Sequence, residues 1–249
     1  MDLTIIIPCF NESDSIPTLY DELTPVVAAL RRDRSVEVLF VDDGSTDDTG
    51  SLLTAAFQGD SDVRVIAHDR NRGLGAALRT GYRHARGRVV VTADSDATYP
   101  FQLIPSLLDR LQSGADIVTG SCYHPDGGIE NVPAYRILLS RSASTIYRLI
   151  VDRRIHTYTC MFRAYRRQVL ESVELRADGF LGVTELLVNA MLMGFSVAEL
   201  PCTLRVRRYG VSKAKLVRTT RAHLTFQSQV ALSRVLQLFR PSLPAGQAR

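Results

Sequence analysis

Asp94 and Asp96 stand one residue apart in the stretch Ala93-Asp94-Ser95-Asp96-Ala97-Thr98-Tyr99-Pro100. The run from Arg88 to Thr92 just before them is apolar and β-branched, which predicts a buried strand that ends there. On an extended backbone, residues i and i+2 project to the same side, so both carboxylates can face one crevice. Two clustered carboxylates repel each other, and a hard divalent cation relieves that repulsion. Mg²⁺ or Mn²⁺ held there could bridge to a diphosphate. The same residues also fit a polar strand-to-helix loop whose Asp side chains cap the next helix. The surrounding elements and motifs bear on which of the two holds.

Those elements alternate. Leu3 to Ile7 is a short β-branched run ended by Pro8, and Ile16 to Arg31 carries apolar residues at helical spacing. Val36 to Val41 predicts a second strand, with Asp42-Asp43-Gly44-Ser45-Thr46-Asp47 at its carboxyl end. A helix capped by Thr46 or Asp47 runs to about Phe57, and Val63 to Ala67 is a third strand. Gly73 opens a helix reaching about Ala85. The strand into Asp94 follows, then a helix from Phe101 to Gln112 and a strand from Asp116 to Gly120. Strand and helix in turn, with short connections, predict an α/β fold: a mostly parallel sheet covered by helices on both faces. Ligands bind such sheets at the carboxyl ends of the strands, where the loops at Asn11, Asp42, Asn71 and Asp94 all fall.

The second half is less regular. Tyr123 to Val132 reads as a loop, Ala134 to Val151 as a helix and His156 to Tyr165 as strand-like. Val183 to Met193 is helical, and Ser196 to Arg207 is extended and broken by Pro201. Lys215 to Phe239 forms a basic helix with Leu216, Leu224, Val230 and Val235 among Arg218, Arg221 and Arg234. Such a helix either attaches to a membrane surface or a small membrane subunit, or packs on the domain with its cations outward. The expected division is one domain over residues 1–213, with a basic helix and tail over 214–249.

Across 249 residues, 45% are hydrophobic, enough for a sizeable core. The net charge of +4 is concentrated late, since no Asp or Glu follows Glu199. That excess suits a diphosphate or an anionic lipid surface. Nucleic-acid binding would rest on tail charge alone and is not expected. Cys9, Cys122, Cys160 and Cys202 form no C-x-x-C pair and read as free thiols in a reducing compartment. The five histidines show no ligand-type spacing and read as surface or core residues. No run of about 18 apolar residues exists, so the expected location is cytoplasmic, at most peripheral on a membrane. No G-x-G-x-x-G follows the first strand, which excludes a dinucleotide-binding oxidoreductase.

Five motifs occur in order: Pro8-x-Phe10-Asn11-Glu12, Val41-Asp42-Asp43-Gly44-Ser45-x-Asp47, Asn71-x-Gly73-x-x-Ala76, Asp94-x-Asp96 and Arg207-x-x-Gly210-x-Ser212-Lys213. Over about residues 3–215 the set resembles the GT-A-fold glycosyltransferases of family 2. Within these it is most similar to the polyprenyl-phosphate sugar transferases of the dolichol-phosphate mannose synthase type. The resemblance implies a nucleotide-sugar half (about 1–121) and an acceptor half (122–213). By it, Pro8, Phe10, Glu12, Asp42, Asn71 and Gly73 line the slot for a GDP- or UDP-linked sugar. Asp94 lies near ribose and sugar, and Asp96 holds the metal with help from Thr98, where the family usually has Gln. Arg207 and Lys213 look like its mobile phosphate clamp.

Arg136 and Ser140 match the family's acceptor-phosphate helix, and Arg163 is a further candidate cation. Cys122 stands where the family often has an Arg. Glu185 is a candidate general base if the acceptor is a hydroxyl; otherwise it is an acidic residue favoured at a helix start. From the residues alone, Glu12 also fits a cap on the next helix, and Gly73 and Gly75 also fit plain helix–strand packing. Three functions follow as expectations. The first moves a hexose, with GDP-mannose as the first donor, to a polyprenyl phosphate. The second uses a saccharide or other hydroxyl acceptor, and the third binds a nucleotide sugar without catalysis.

Overall fold

The computed structural model describes residues 1–206 and 216–238. Seven strands form the main sheet in the order β3-β2-β1-β4-β7-β5-β8. They are β1 (Leu3–Cys9), β2 (Val36–Asp42), β3 (Val63–Ala67), β4 (Val89–Thr92), β5 (Ile117–Ser121), β7 (Arg163–Arg166) and β8 (Val197–Pro201). β1 pairs in parallel with β2 and β4, β2 with β3, and β5 with β8; β7 alone runs antiparallel, between β4 and β5.

The helices are α1 (Ile16–Leu30), α2 (Thr49–Ala56), α3 (Leu74–His84), α4 (Ile104–Gln112), α5 (Ala134–Ile150), α6 (Arg167–Ser172), α7 (Leu181–Leu192) and α8 (Leu216–Leu238). Alternation along β1 distributes them over both faces. Leu3, Ile5 and Ile7 pack with Leu19 and Leu23 of α1, while Ile6 joins Ala77 of α3 on the other face. Every residue of β1 and β2 is buried, which is why both read as continuous apolar runs.

Three parts of the second half differ from expectation. The stretch expected to be strand-like from His156 to Tyr165 becomes strand only from Arg163, where β7 (Arg163–Arg166) begins. Residues 156–162 are irregular because side chains take their backbone groups: Glu199 binds the N–H of His156 and of Thr157, and Ser144 binds that of Tyr158. The expected loop from Tyr123 to Val132 contains a strand, β6 (Gly128–Glu130), parallel to β9 (Thr203–Arg205) in a separate two-stranded sheet. The long extended stretch is therefore split at Cys202 into β8 and β9.

Arg163 is also corrected. Its side chain is fully buried and donates to the carbonyls of Tyr158 and Val183 and to Thr119 Oγ1. It fastens the 158 segment and α7 to the sheet and presents no cation to a ligand.

α8 packs against α5 and α7, with Phe226 and Val230 in their shared core. α8 also exposes Leu232, Val235 and Leu236 together with Arg218 and Arg221, while Arg234 turns back to donate to the carbonyls of Ile150 and Val151 at the end of α5. No helix among the described residues is long and apolar enough to cross a membrane.

Candidate active site

The parallel strands β1, β2 and β4 end at one edge, and Cys9 lies in register with Asp42. Their loops therefore meet. Asn11 Oδ1 accepts the Thr46 N–H at 2.7 Å, and Ser45 Oγ accepts the Asn11 N–H at 2.9 Å. The Glu12 N–H bonds Thr49 Oγ1 at 2.8 Å, and the Glu12 carboxylate accepts the Ser15 hydroxyl at 3.0 Å. That bond goes to a side-chain hydroxyl and not to a helix N–H, so it is not the cap on α1 that the sequence also allowed. Pro8 is buried in β1 and Phe10 is half-buried beyond its end. Asp42, 6% exposed, accepts the Ser45 N–H at 3.0 Å, and a Cβ on Gly50 would stand 2.8 Å from its other oxygen. A glycine at position 50 keeps that carboxylate's approach open.

Asp43 is the organiser of the neighbouring loop. Its two oxygens, 3% exposed as a residue, accept His68 Nδ1–H at 2.7 Å, Asn71 Nδ2–H at 3.0 Å, and the N–H groups of Arg72 at 2.9 Å and Gly73 at 2.7 Å. Asn71 and the Gly73 N–H are therefore spent on Asp43. A Cβ on Gly73 would lie 2.5 Å from the Asp178 carbonyl oxygen, at a φ of +101°. The close approach at this glycine is by the chain's own backbone, which is the packing alternative. Asn71 instead borders an open cleft with Arg70, Arg72 and Arg79.

Beyond β4 the chain turns through Ala97 in the left-handed region, at φ +50°. For a residue with a Cβ this costs roughly 1 kcal/mol. The turn lets the Thr98 N–H, at 3.1 Å, and its hydroxyl both donate to one oxygen of Asp96. The Thr98 carbonyl accepts the Arg205 N–H of β9 at 3.1 Å, so the second sheet braces this loop.

Asp94, Asp96 and Thr98 line a cavity of about 370 Å³. Arg136 and Ser140 of α5 line the same cavity, and Ser140 Oγ bonds Thr159 Oγ1 at 2.7 Å. Cys122 and Tyr123 line it too; burial pushes the Cys122 thiol above its ordinary range, and the Tyr123 phenol up to about 12. The cavity continues between α5 and α8, past Ile137, Ile146, Leu216 and Leu224.

The floor of that extension was not anticipated from sequence. His223 and Gln227 of α8, both buried, line it, and His223 Nδ1 meets the Tyr147 hydroxyl at 3.1 Å. Burial lowers the His223 pKa to about 4, so the ring is neutral at pH 7. Their i, i+4 spacing on an otherwise apolar helix face is the signal that could have found them.

Glu185 does not line the cavity. Its carboxylate accepts the N–H groups of Arg176 at 3.0 Å and Ala177 at 2.7 Å. Both bonds fall on Oε2, so the expected base candidate stands outside the cavity lining and one of its oxygens anchors the loop before α7. Arg207 and Lys213 lie outside the described residues.

Comparison with known proteins agrees with this architecture. The model of glycosyl transferase family 2 matches residues 4–174. Polyprenol monophosphomannose synthase of Mycolicibacterium smegmatis is 37% identical over 84% of this chain and 79% of its own. Dolichol-phosphate mannosyltransferase of Pyrococcus furiosus is 33% identical over 86% of this chain, which spans 60% of that protein. Undecaprenyl-phosphate 4-deoxy-4-formamido-L-arabinose transferase of Salmonella choleraesuis is 30% identical over 87% of this chain and 63% of its own. Among solved structures, glucosyl-3-phosphoglycerate synthase of Mycobacterium tuberculosis, in complex with Mg²⁺ and UDP, superposes with a TM-score of 0.69 at 22% identity. That match covers 91% of this chain and 79% of the other. The strand order, the converging loops and a family match across both halves of the sheet leave one assignment: the chain belongs to glycosyl transferase family 2, with the GT-A fold, and is a glycosyltransferase.

Proposed function

We propose that this enzyme moves a hexose from a nucleotide diphosphate sugar to a polyprenyl phosphate at the cytoplasmic membrane face, with inversion at the anomeric carbon. GDP-mannose is the first donor to test, since two of the relatives are named for mannose transfer. The observation that carries the reading is that one cavity is lined by the Asp94 and Asp96 carboxylates, by Arg136 and Ser140, and by apolar residues of α5 and α8. An anionic head beside Arg136 and an isoprenoid chain along Ile137, Ile146 and Leu224 match those surfaces.

The donor would lie over the ends of β1 and β2, with Asp42 and Glu12 facing base and ribose. The half of the chain before residue 122 then serves the donor, and residues 122–213 serve the acceptor. Asp94, Asp96 and the Thr98 hydroxyl offer only oxygen atoms, the donor set that Mg²⁺ or Mn²⁺ takes. A bound ion would supply charge neutralisation for the departing diphosphate. Thr98 fixes one Asp96 oxygen and so orients the carboxylate. Arg207 and Lys213, by resemblance, would add cations on the diphosphate.

A phosphate acceptor is already anionic and needs no general base. Glu185, outside the cavity lining and with Oε2 held by two backbone N–H groups, fits that requirement. Catalysis on this reading is mainly positioning and leaving-group stabilisation. The exposed leucines of α8, with Arg218 and Arg221, would rest on an anionic lipid surface or a small membrane subunit.

The test is sugar transfer from a panel of GDP- and UDP-sugars to a short polyprenyl phosphate, with Mg²⁺ or Mn²⁺ and with chelator. Metal-dependent lipid-linked sugar is expected, and Asp96→Ala should abolish it while the circular dichroism spectrum is unchanged. Full activity in that variant refutes the metal-holding role. Donor hydrolysis without lipid product refutes the acceptor.

A further inference from the structure

His124, His156 and Glu199 come from three separate parts of the chain: the loop after β5, the irregular segment before β7, and β8. One ligating atom from each lies within 4.8 Å of the others. The two imidazoles meet edge to face, with centroids 5.3 Å apart. His156 Nδ1 stands 2.7 Å from Glu199 Oε2. Glu199 Oε1 is held by the N–H groups of His156 at 2.8 Å and Thr157 at 2.9 Å. Glu199 is buried and both histidines are half-buried, so the carboxylate is a fixed anchor and the site opens on the histidine side.

We propose that these three side chains bind a transition-metal cation of the Zn²⁺ class, at a site separate from Asp94 and Asp96. Two imidazoles and a carboxylate suit borderline cations, whereas Mg²⁺ prefers all-oxygen sites. The two sites therefore select different ions. Zinc bonds of about 2.0–2.1 Å place tetrahedral ligand atoms roughly 3.3 Å apart. The His156–Glu199 pair is already inside that distance. The widest pair must close by about 1.5 Å, a shift that side-chain rotation of His124 on its loop can supply.

Ligation through His156 Nδ1 exchanges its hydrogen bond to Glu199 Oε2 for the metal, the neutral ring keeping its proton on Nε2. At His124 it exchanges the bond from the Asp126 N–H, 3.1 Å from Nδ1, for the metal. The Asp126 carboxylate, 3.5 Å from the same nitrogen, can approach as a fourth ligand. The consequence reaches the cavity. Thr157 bonds Ser121 Oγ at 2.8 Å and the Tyr123 N–H at 3.2 Å, and Cys122, Tyr123 and Thr157 are cavity wall. A metal here cross-links the β5 loop to β8 directly behind that wall.

The test uses the full chain, metal-free and carrying Asp96→Ala to remove the other cation site. Zn²⁺ is titrated calorimetrically, and Co²⁺ is added as the spectroscopic probe. Expected are one equivalent of bound Zn²⁺, a rise in Tm with Zn²⁺, and the intense visible bands of low-coordinate Co²⁺. Adding His124→Ala, with the circular dichroism spectrum and urea midpoint confirming that the metal-free protein is folded, should weaken Zn²⁺ by about 10-fold or more and remove the bands. Glu199→Gln should do the same if it folds; His124→Ala decides if it does not. Absence of Zn²⁺ binding by the Asp96→Ala protein overturns the proposal. So does an unchanged affinity in the His124→Ala protein, or equal competition by Mg²⁺.

Discussion

Asp43→Asn is the substitution whose cost the structure defines most closely. The aspartate accepts four hydrogen bonds at a site 3% exposed, two on each oxygen. The amide can face either way. With its NH₂ toward Gly73 and Asn71, two donors meet a donor. With its NH₂ toward His68 and Arg72, the imidazole can change tautomer and accept, since its Nε2 then donates to Thr80 Oγ1, 2.9 Å away. Only the Arg72 N–H is orphaned in that second orientation, and only the Gly73 N–H in the first once the Asn71 amide turns its oxygen inward, so either way one buried backbone donor is left without a partner.

One buried donor without a partner costs about 1–3 kcal/mol, and each remaining bond loses about 1 kcal/mol of charge assistance. The sum is about 3–5 kcal/mol, because the terms overlap. Urea unfolding should show that loss as a lower midpoint at unchanged slope. Hydrogen exchange should locate it at the amides of Arg72 and Gly73. A loss under about 1 kcal/mol, or uniform deprotection, refutes the account of Asp43 as the loop's anchor.

Two further predictions follow from buried groups. His223 is neutral when folded, with a pKa of about 4, while an unfolded histidine titrates near 6.5. The unfolded chain therefore binds the extra proton between these values, so stability is complete above pH 6.5 and falls by about 3 kcal/mol as pH drops to 4. His223→Asn should flatten that part of the urea-midpoint profile, and an unchanged profile would sink the assignment. Glu185→Gln should cost about 1–2 kcal/mol of stability, through the weakened bonds to Arg176 and Ala177, and leave turnover within a few-fold. A turnover loss of about 10²-fold or more would restore the general base and a hydroxyl acceptor.

The fold was legible where local pattern and burial agree. β1 and β2 are sandwiched between helices, so every position is apolar or paired, and their runs stand out without context. The ends of β2 and β4 are written in the chain, where the β-branched runs give way to Asp42 and, past Ala93, to Asp94. That is why Asp42 and Asp94 could be placed at one sheet edge from sequence alone. The ordered motifs added the family, because five short patterns in one order are far more specific than any one of them.

Tertiary structure decided what lies between elements distant in the chain. Residues 156–162 are as β-prone as β7, yet Glu199 and Ser144 take their N–H groups and leave no ladder. Arg163 and Glu185 have the charges of ligand contacts, but burial against backbone carbonyls and amides makes them braces. His124 and His156 have no ligand spacing, and only the path of β5 beside β8 brings them to one carboxylate. Sequence reports periodicity and residue chemistry along one strand or helix. Which donor meets which acceptor across the sheet depends on register and on which groups water can still reach, and those are properties of the packed chain.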